Sequence, residues 1–224
     1  LMDRLIRYLG NLHVALHLPP TAGVMFIVPA LKTVGLITVM VQSGLLVPVA
    51  EGSHCAIFDE VSVDIGDGQS LEHALSTFSA HIRNIRDILQ TAGRSTLVLL
   101  DEMASGTDPG EGVGLSIAIL EELNQRQATV VVTTHFTEIK NFAERTAGFE
   151  NARMEFDADT LEPLYRLRIG EAGHSYAFVI AAKLGIPESI IARSREITEA
   201  GTARGDMTLR HDVGSESEEW AEGA

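Results

Sequence analysis

The sequence is short of cysteine, aromatic residues and positive charge, and each shortage closes off a class of protein. One residue in 224 is cysteine, Cys55, which excludes an internal disulfide framework and predicts a reducing, cytoplasmic setting. No four Cys or His ligands stand at zinc-like spacing. Cys55 opens the short apolar run 55–58 and reads as buried and inert. Aromatics make up 5% of the chain while 45% is hydrophobic, so aliphatic side chains must supply the core of what reads as a single soluble domain. Lys and Arg number 17 against 31 Asp and Glu, a formal charge of −14. Duplex DNA is held chiefly by cations that neutralise phosphates, so this chain by itself is not expected to grip DNA. The longest apolar stretch, 24–49, carries one charge, Lys32. Its length would cross a bilayer, but Pro29, Lys32, Gln42 and Gly44 divide it, and a strand followed by a buried helix ending at Gly44 accounts for it. No membrane span is expected, and no secretory leader is evident.

What is present concentrates in residues 96–135. Residues 96–109 read TLVLLDEMASGTDP, and the four apolar residues 97–100 predict a buried strand that delivers Asp101-Glu102 to its end. Two adjacent carboxylates are expensive to bury without a cation or hydrogen bonds. In nucleotide-hydrolysing α/β folds such an Asp holds Mg²⁺ and the next carboxylate orients the attacking water. A strand that simply ends in a solvated acidic turn is the plain alternative. Gly106-Thr107-Asp108-Pro109 then forms a turn. A helix is predicted over 113–126, with Val113, Ile117, Leu120 and Leu123 on one stripe. A second strand, 129–132, leads to Thr133-Thr134-His135. Strand, helix and strand with polar residues at both strand ends make a βαβ unit, whose ligands gather at the carboxyl edge of the sheet. His135 stands at that edge, either to sense a γ-phosphate or as a structural histidine.

Upstream, Phe78, Ile82, Ile85 and Leu89 fall on one helical face, with Gly93 just past the helix end. Ser76, Thr77 and Ser79 crowd its amino end, where hydroxyls cap orphan N–H groups and the same N–H groups attract phosphate. Downstream the pattern predicts a short helix over 136–145 and a strand pair over 152–169 turning near Asp157-Ala158-Asp159. Two helices follow, 176–184 and 188–197, parted by Gly185-Ile186-Pro187. That break suggests a helix-turn-helix, which the acidic surroundings favour as a packing or dimer element over a DNA reader. The last segment, 201–224, is polar and acidic and is expected to be disordered.

In their order and approximate spacing, Ser76-Thr77-Phe78-Ser79, Leu99-Leu100-Asp101-Glu102, Gly106-Thr107-Asp108 and Thr133-Thr134-His135 resemble the ATPase domain of the MutS family, a branch of the ABC-type ATPases. Phe58-Asp59-Glu60 and Asp64-Ile65-Gly66-Asp67 fit the same pattern. Leu31-Lys32-Thr33-Val34-Gly35-Leu36, Phe156-Asp157, Leu164-Tyr165-Arg166-Leu167 and Gly173-His174-Ser175 before Ala177-Phe178 are similar to the second bacterial MutS branch, which is linked to suppression of recombination. The resemblance covers about 31–197. It implies an α/β fold, an ABC-type P-loop ATPase sheet with flanking helices and a C-terminal helix-turn-helix. The implied organisation is an unassigned segment 1–30, a MutS-like ATPase domain with a helical dimer element over 31–200, and an acidic tail over 201–224.

One element of the family pattern is missing. The phosphate-binding loop G-x-x-x-x-G-K-[ST] precedes the counterpart of 31–36 in the family, whereas residues 23–30 read GVMFIVPA and no Gly-Lys-Thr or Gly-Lys-Ser occurs anywhere. That loop needs glycines to wrap successive N–H groups around phosphate and a Lys to reach its oxygens. Lys32-Thr33 corresponds to a pair inside the following helix. Either about ten residues are lost here or the upstream sequence is unrelated to the family.

For the chain as a whole, the resemblance implies a homodimer that traps ATP and Mg²⁺ between two copies. Asp101 would help hold Mg²⁺, and Glu102 would polarise the water. Ser76, Thr77 and Ser79 would face the γ-phosphate bound by the partner, Asp108 would make cross-dimer contacts, and His135 would report γ-phosphate state. DNA would be held through clamp and lever parts that this chain does not contain, in mismatch repair or suppression of recombination. The nuclease domain common in the second branch has no counterpart after Ile197. A nucleotide-dead remnant that only dimerises is the alternative. A transporter ATPase fits less well, since Ser76-Thr77-Phe78-Ser79 replaces the Leu-Ser-Gly-Gly-Gln signature.

Overall fold

Apolar strands alternate with amphipathic helices in the computed structural model, which describes residues 13–17, 24–66, 74–103, 106–157, 160, 163–171 and 176–208. The elements are β1 (His13–His17), α1 (Val24–Gln42), β2 (Glu60–Asp64), α2 (Ala74–Thr91), β3 (Thr96–Leu100), α3 (Pro109–Gln125), β4 (Thr129–Thr134), α4 (Thr137–Arg145), β5 (Phe149–Phe156), β6 (Pro163–Ile169), α5 (Ala177–Lys183) and α6 (Glu188–Thr208). The chain divides into two compact units, 1–175 and 176–224.

The first unit is built on a six-stranded sheet of order β2-β3-β4-β1-β5-β6. The strands from β2 to β5 in that order are mutually parallel, and β6 closes the edge antiparallel to β5. A strand inside a parallel sheet is covered on both faces and reads as a continuous apolar run, as TLVLL of β3 does. Its alternation feeds two cores. Val98 and Leu100 join Ile85 and Ile88 of α2, Leu120 and Leu123 of α3, and Ile139 and Ala143 of α4. Leu97 and Leu99 join Leu31 and Val34 of α1 on the other face. The approach of α1 to the sheet is close: a Cβ on Gly35 would lie 2.7 Å from Leu99 Cδ1.

Several expectations are revised. The stretch 24–49 is one helix through Gln42, not a strand and a helix. Phe26-Ile27-Val28 suits a strand by local preference, and Pro29 withholds an N–H from the Met25 carbonyl. The apolar face that α1 lays on the sheet outweighs both. Among the described residues no helix is long and apolar enough to cross a membrane. Cys55 is half-buried rather than buried, its thiol donating to the Ala56 carbonyl at 3.3 Å. The segment 1–30, unassigned from sequence, contains β1, which pairs with both β4 and β5 inside the sheet.

The second unit is a helical pair. α5 ends at Lys183, Gly185 takes φ +91° in the connection, and α6 starts after Pro187. Within it the Arg195 guanidinium lies 5.6 Å over the Phe178 ring. α6 continues to Thr208, past the boundary at 201 where an acidic tail was expected to begin. Residues 209–224 lie outside the described ones.

Candidate functional site

Parallel strands aim their carboxyl ends at one edge, and a ligand crevice opens where neighbouring strands send their helices to opposite faces. Here those neighbours are β1 and β4. The helix after β1, α1, covers one face, whereas the helix after β4, α4, covers the other. The two strands end in register, His17 opposite Thr134. Asp101 follows β3, the strand next to β4, at the same edge. A strand and a helix thus stand at this edge, while no Gly-Lys-Thr or Gly-Lys-Ser occurs in the sequence. The connecting positions 18–23, LPPTAG in sequence, lie outside the described residues.

Asp101 is 8% exposed. Its Oδ1 accepts from Thr133 Oγ1 at 2.6 Å, and the same hydroxyl accepts from the Glu102 backbone N–H at 3.0 Å. Thr133, fully buried in β4, therefore fastens both carboxylate residues to the neighbouring strand. Burial pushes the Asp101 carboxyl above the usual carboxylate range; the Thr133 hydrogen bond and the charges of Lys32 and His81 pull against that shift, and Asp64 adds to it. A carboxylate so placed fits a divalent cation held through one or two carboxylates and substrate phosphates. Among the described residues no cluster of three His, Cys, Asp or Glu would hold a metal unaided. Glu102 is half-buried with φ +44°. That left-handed geometry is unusual for a residue with a side chain and recurs at functional sites.

The other predicted residues are not gathered against Asp101 in this way. His135 is exposed just past β4, its ring tilted 33° against that of Phe136 with centroids 4.2 Å apart. Asp108 caps α3: its Oδ1 accepts from Gly110 N at 2.9 Å and Glu111 N at 3.2 Å. Ser76, Thr77 and Ser79 stand inside α2, which begins at Ala74. The capping reading is corrected, because an N-cap must precede the helical residues. Ser79 is exposed, and the side chains of Ser76 and Thr77 lie outside the description.

Thr133 was not singled out from sequence as a partner of Asp101, although it opens the Thr-Thr-His run. Lys32 was set aside, yet its exposed ammonium is a charge that Asp101 feels. Asp64, His81 and Asn84 form a further polar cluster beside the edge, joined by hydrogen bonds of 2.8–2.9 Å. Only the Asp-Ile-Gly-Asp motif hinted at it.

Comparison with known proteins identifies the family. The family profile of MutS domain V matches residues 28–200, so the match begins inside α1 and leaves out β1 and the connection after it. Endonuclease MutS2 of Thermomicrobium roseum is 53% identical over 180 residues, covering 80% of this chain and 23% of that protein. The protein of the same name from Ruminiclostridium cellulolyticum is 53% identical over 167 residues, 75% of this chain and 21% of that one. That of Pelotomaculum thermopropionicum is 51% identical over 181 residues, 81% and 23% respectively. The chain thus spans less than a quarter of the length of these relatives. With its sheet, its Asp-Glu strand end and its ordered motifs, the chain belongs to the MutS family, as a MutS domain V.

Proposed function

We propose that the chain is the ATPase module of a MutS-type DNA-binding protein that acts in mismatch repair or suppression of recombination, with ATP and Mg²⁺ taken up at the carboxyl edge of the sheet. The observation that carries this reading is Asp101, a buried carboxylate fastened by Thr133 at the end of β3, one strand from the switch point. Asp101 would hold Mg²⁺, which when bound would neutralise phosphate charge. Glu102, held by its own N–H to Thr133, would orient the attacking water. His135, exposed beyond β4, would meet the γ-phosphate. Ser76, Thr77 and Ser79 would serve the nucleotide of a second copy, and Asp108 would contact that copy while capping α3.

Dimerisation through the second unit, as part of an ATPase domain over 31–200, is supported by Leu184, Ile186, Ile190 and Ile197, four apolar side chains exposed in the single chain. DNA would be engaged by parts of a longer protein, since the charge of −14 disfavours phosphate contact here.

A second reading is favoured by one observation: no Gly-Lys-Thr or Gly-Lys-Ser occurs in the chain. On that reading the module dimerises without nucleotide. Titration calorimetry with Mg²⁺-ATP separates the two, using Asp101→Ala as control. Binding that disappears in the control supports the ATPase reading. No binding at millimolar ATP leaves the dimerisation module.

A further inference from the structure

Asp64, the last residue of β2, is 6% exposed and uses its backbone and its side chain in different directions. Its carbonyl accepts the Asp101 N–H at 2.9 Å. Its carboxylate turns to α2, with Oδ2 2.8 Å from His81 Nδ1 and Oδ1 accepting from Asn84 Nδ2 at 2.9 Å. The Asn84 amide also donates to the Val63 carbonyl at 2.9 Å. His81 and Asn84 are three apart and so share one face of the helix. The imidazole lies against the backbone of Gly66, where a Cβ would meet Cε1 at 2.7 Å and Nε2 at 2.9 Å.

We propose that Asp64, His81 and Asn84 form a positioning latch that makes α2 and the Asp101 edge move as one body. The α2 face below it, Ile85 and Ile88, already supplies apolar packing. A buried carboxylate adds nothing to adhesion that another aliphatic residue would not supply at lower desolvation cost; it supplies direction and register instead. The proposal rests on the ATPase reading above in one respect. There, Asp101 serves the nucleotide of its own copy, whereas Ser76-Thr77-Phe78-Ser79, in the first turns of α2, serves that of the partner. The latch would then transmit the state of one nucleotide site to the other.

The test is hydrogen exchange on the ligand-free chain, followed for peptides containing the Asp101 amide and peptides from the amino-terminal half of α2. His81→Ala and Asn84→Ala should each speed exchange of both regions together, by about tenfold. His81→Asn, whose amide reproduces the Nδ1 position, should restore slow exchange in both. Ile88→Val, a packing control in the same helix, should leave the Asp101 amide unchanged. Gly66→Ala, which displaces the imidazole without removing it, serves if the alanine variants do not fold, and should reproduce their joint response. An Asp101 amide that keeps its wild-type rate while α2 loosens overturns the latch, as does a failure of His81→Asn to rescue. Calorimetry with Mg²⁺-ATP on the same wild-type sample is read separately. Absent binding with a joint exchange response overturns the nucleotide reading and upholds the latch.

Discussion

At the scale of the residue, the decisive pairing is Thr133 with Asp101. A carboxylate kept 8% exposed without a cation is a liability, and burial raises its pKa in the folded state. Between the ordinary value of 3.8 and the raised one, the folded protein therefore holds a proton that the unfolded chain has released. Stability falls as pH rises from that value through the raised one, and the loss is fully present above it. Asp101→Asn should raise the melting temperature of the ligand-free chain at neutral pH and flatten this part of its pH profile. Thermal melts between pH 3 and 8 read both. Thr133→Val removes a donor from Asp101 and an acceptor from the Glu102 N–H, and should destabilise by about 1–3 kcal/mol in urea titration. Under the ATPase reading, Glu102→Gln should keep nucleotide binding and lose hydrolysis at least about a hundredfold. Phosphate release measured beside calorimetry checks it, and normal turnover would remove Glu102 from its water-orienting role.

At the scale of the element, α3 and α1 show two ways in which sequence sets a helix. α3 opens with Asp108-Pro109: a side chain accepts two amide protons, and a proline stands where no N–H is missed. Asp108→Ala should cost about 1 kcal/mol, while Asp108→Asn should cost little. Chemical denaturation distinguishes the two, and it separates the cap from any cross-dimer contact, which would appear only in self-association. α1 is set by contact. Gly35 lets it lie close on Leu99, and Gly35→Val should cost about 1–3 kcal/mol by overpacking. The αβ pattern from β3 to β4 was legible because each strand is an unbroken apolar run and each helix has one stripe. β1 was not legible: HVALH is short and unremarkable until β4 and β5 pair with it on both sides.

At the scale of the whole molecule, charge decides what the chain can touch. With −14 formal charges it should leave a labelled duplex free at physiological salt, which fluorescence anisotropy reads directly. If the exposed Ile190 and Ile197 of α6 form a dimer contact, a paired substitution to Asp should shift sedimentation to the monomer without changing helical content. The family was legible at this scale because four short motifs keep their order along the chain. The lack of a Gly-Lys-Thr or Gly-Lys-Ser was legible as well, and it is what sets the dimerising reading beside the nucleotide-binding one.

The sequence by itself determined the strands that end in Asp101-Glu102 and Thr133-Thr134-His135, the helices between them and the membership in the MutS family. These rest on local periodicity and on residue types with narrow chemical uses. Only the tertiary structure decided that Thr133 fastens Asp101, that Glu102 takes a left-handed backbone beside it, and that Asp64 joins α2 to the Asp101 edge. Each of these depends on which strands lie side by side, and strand order is a matter of packing between distant segments rather than of any local pattern.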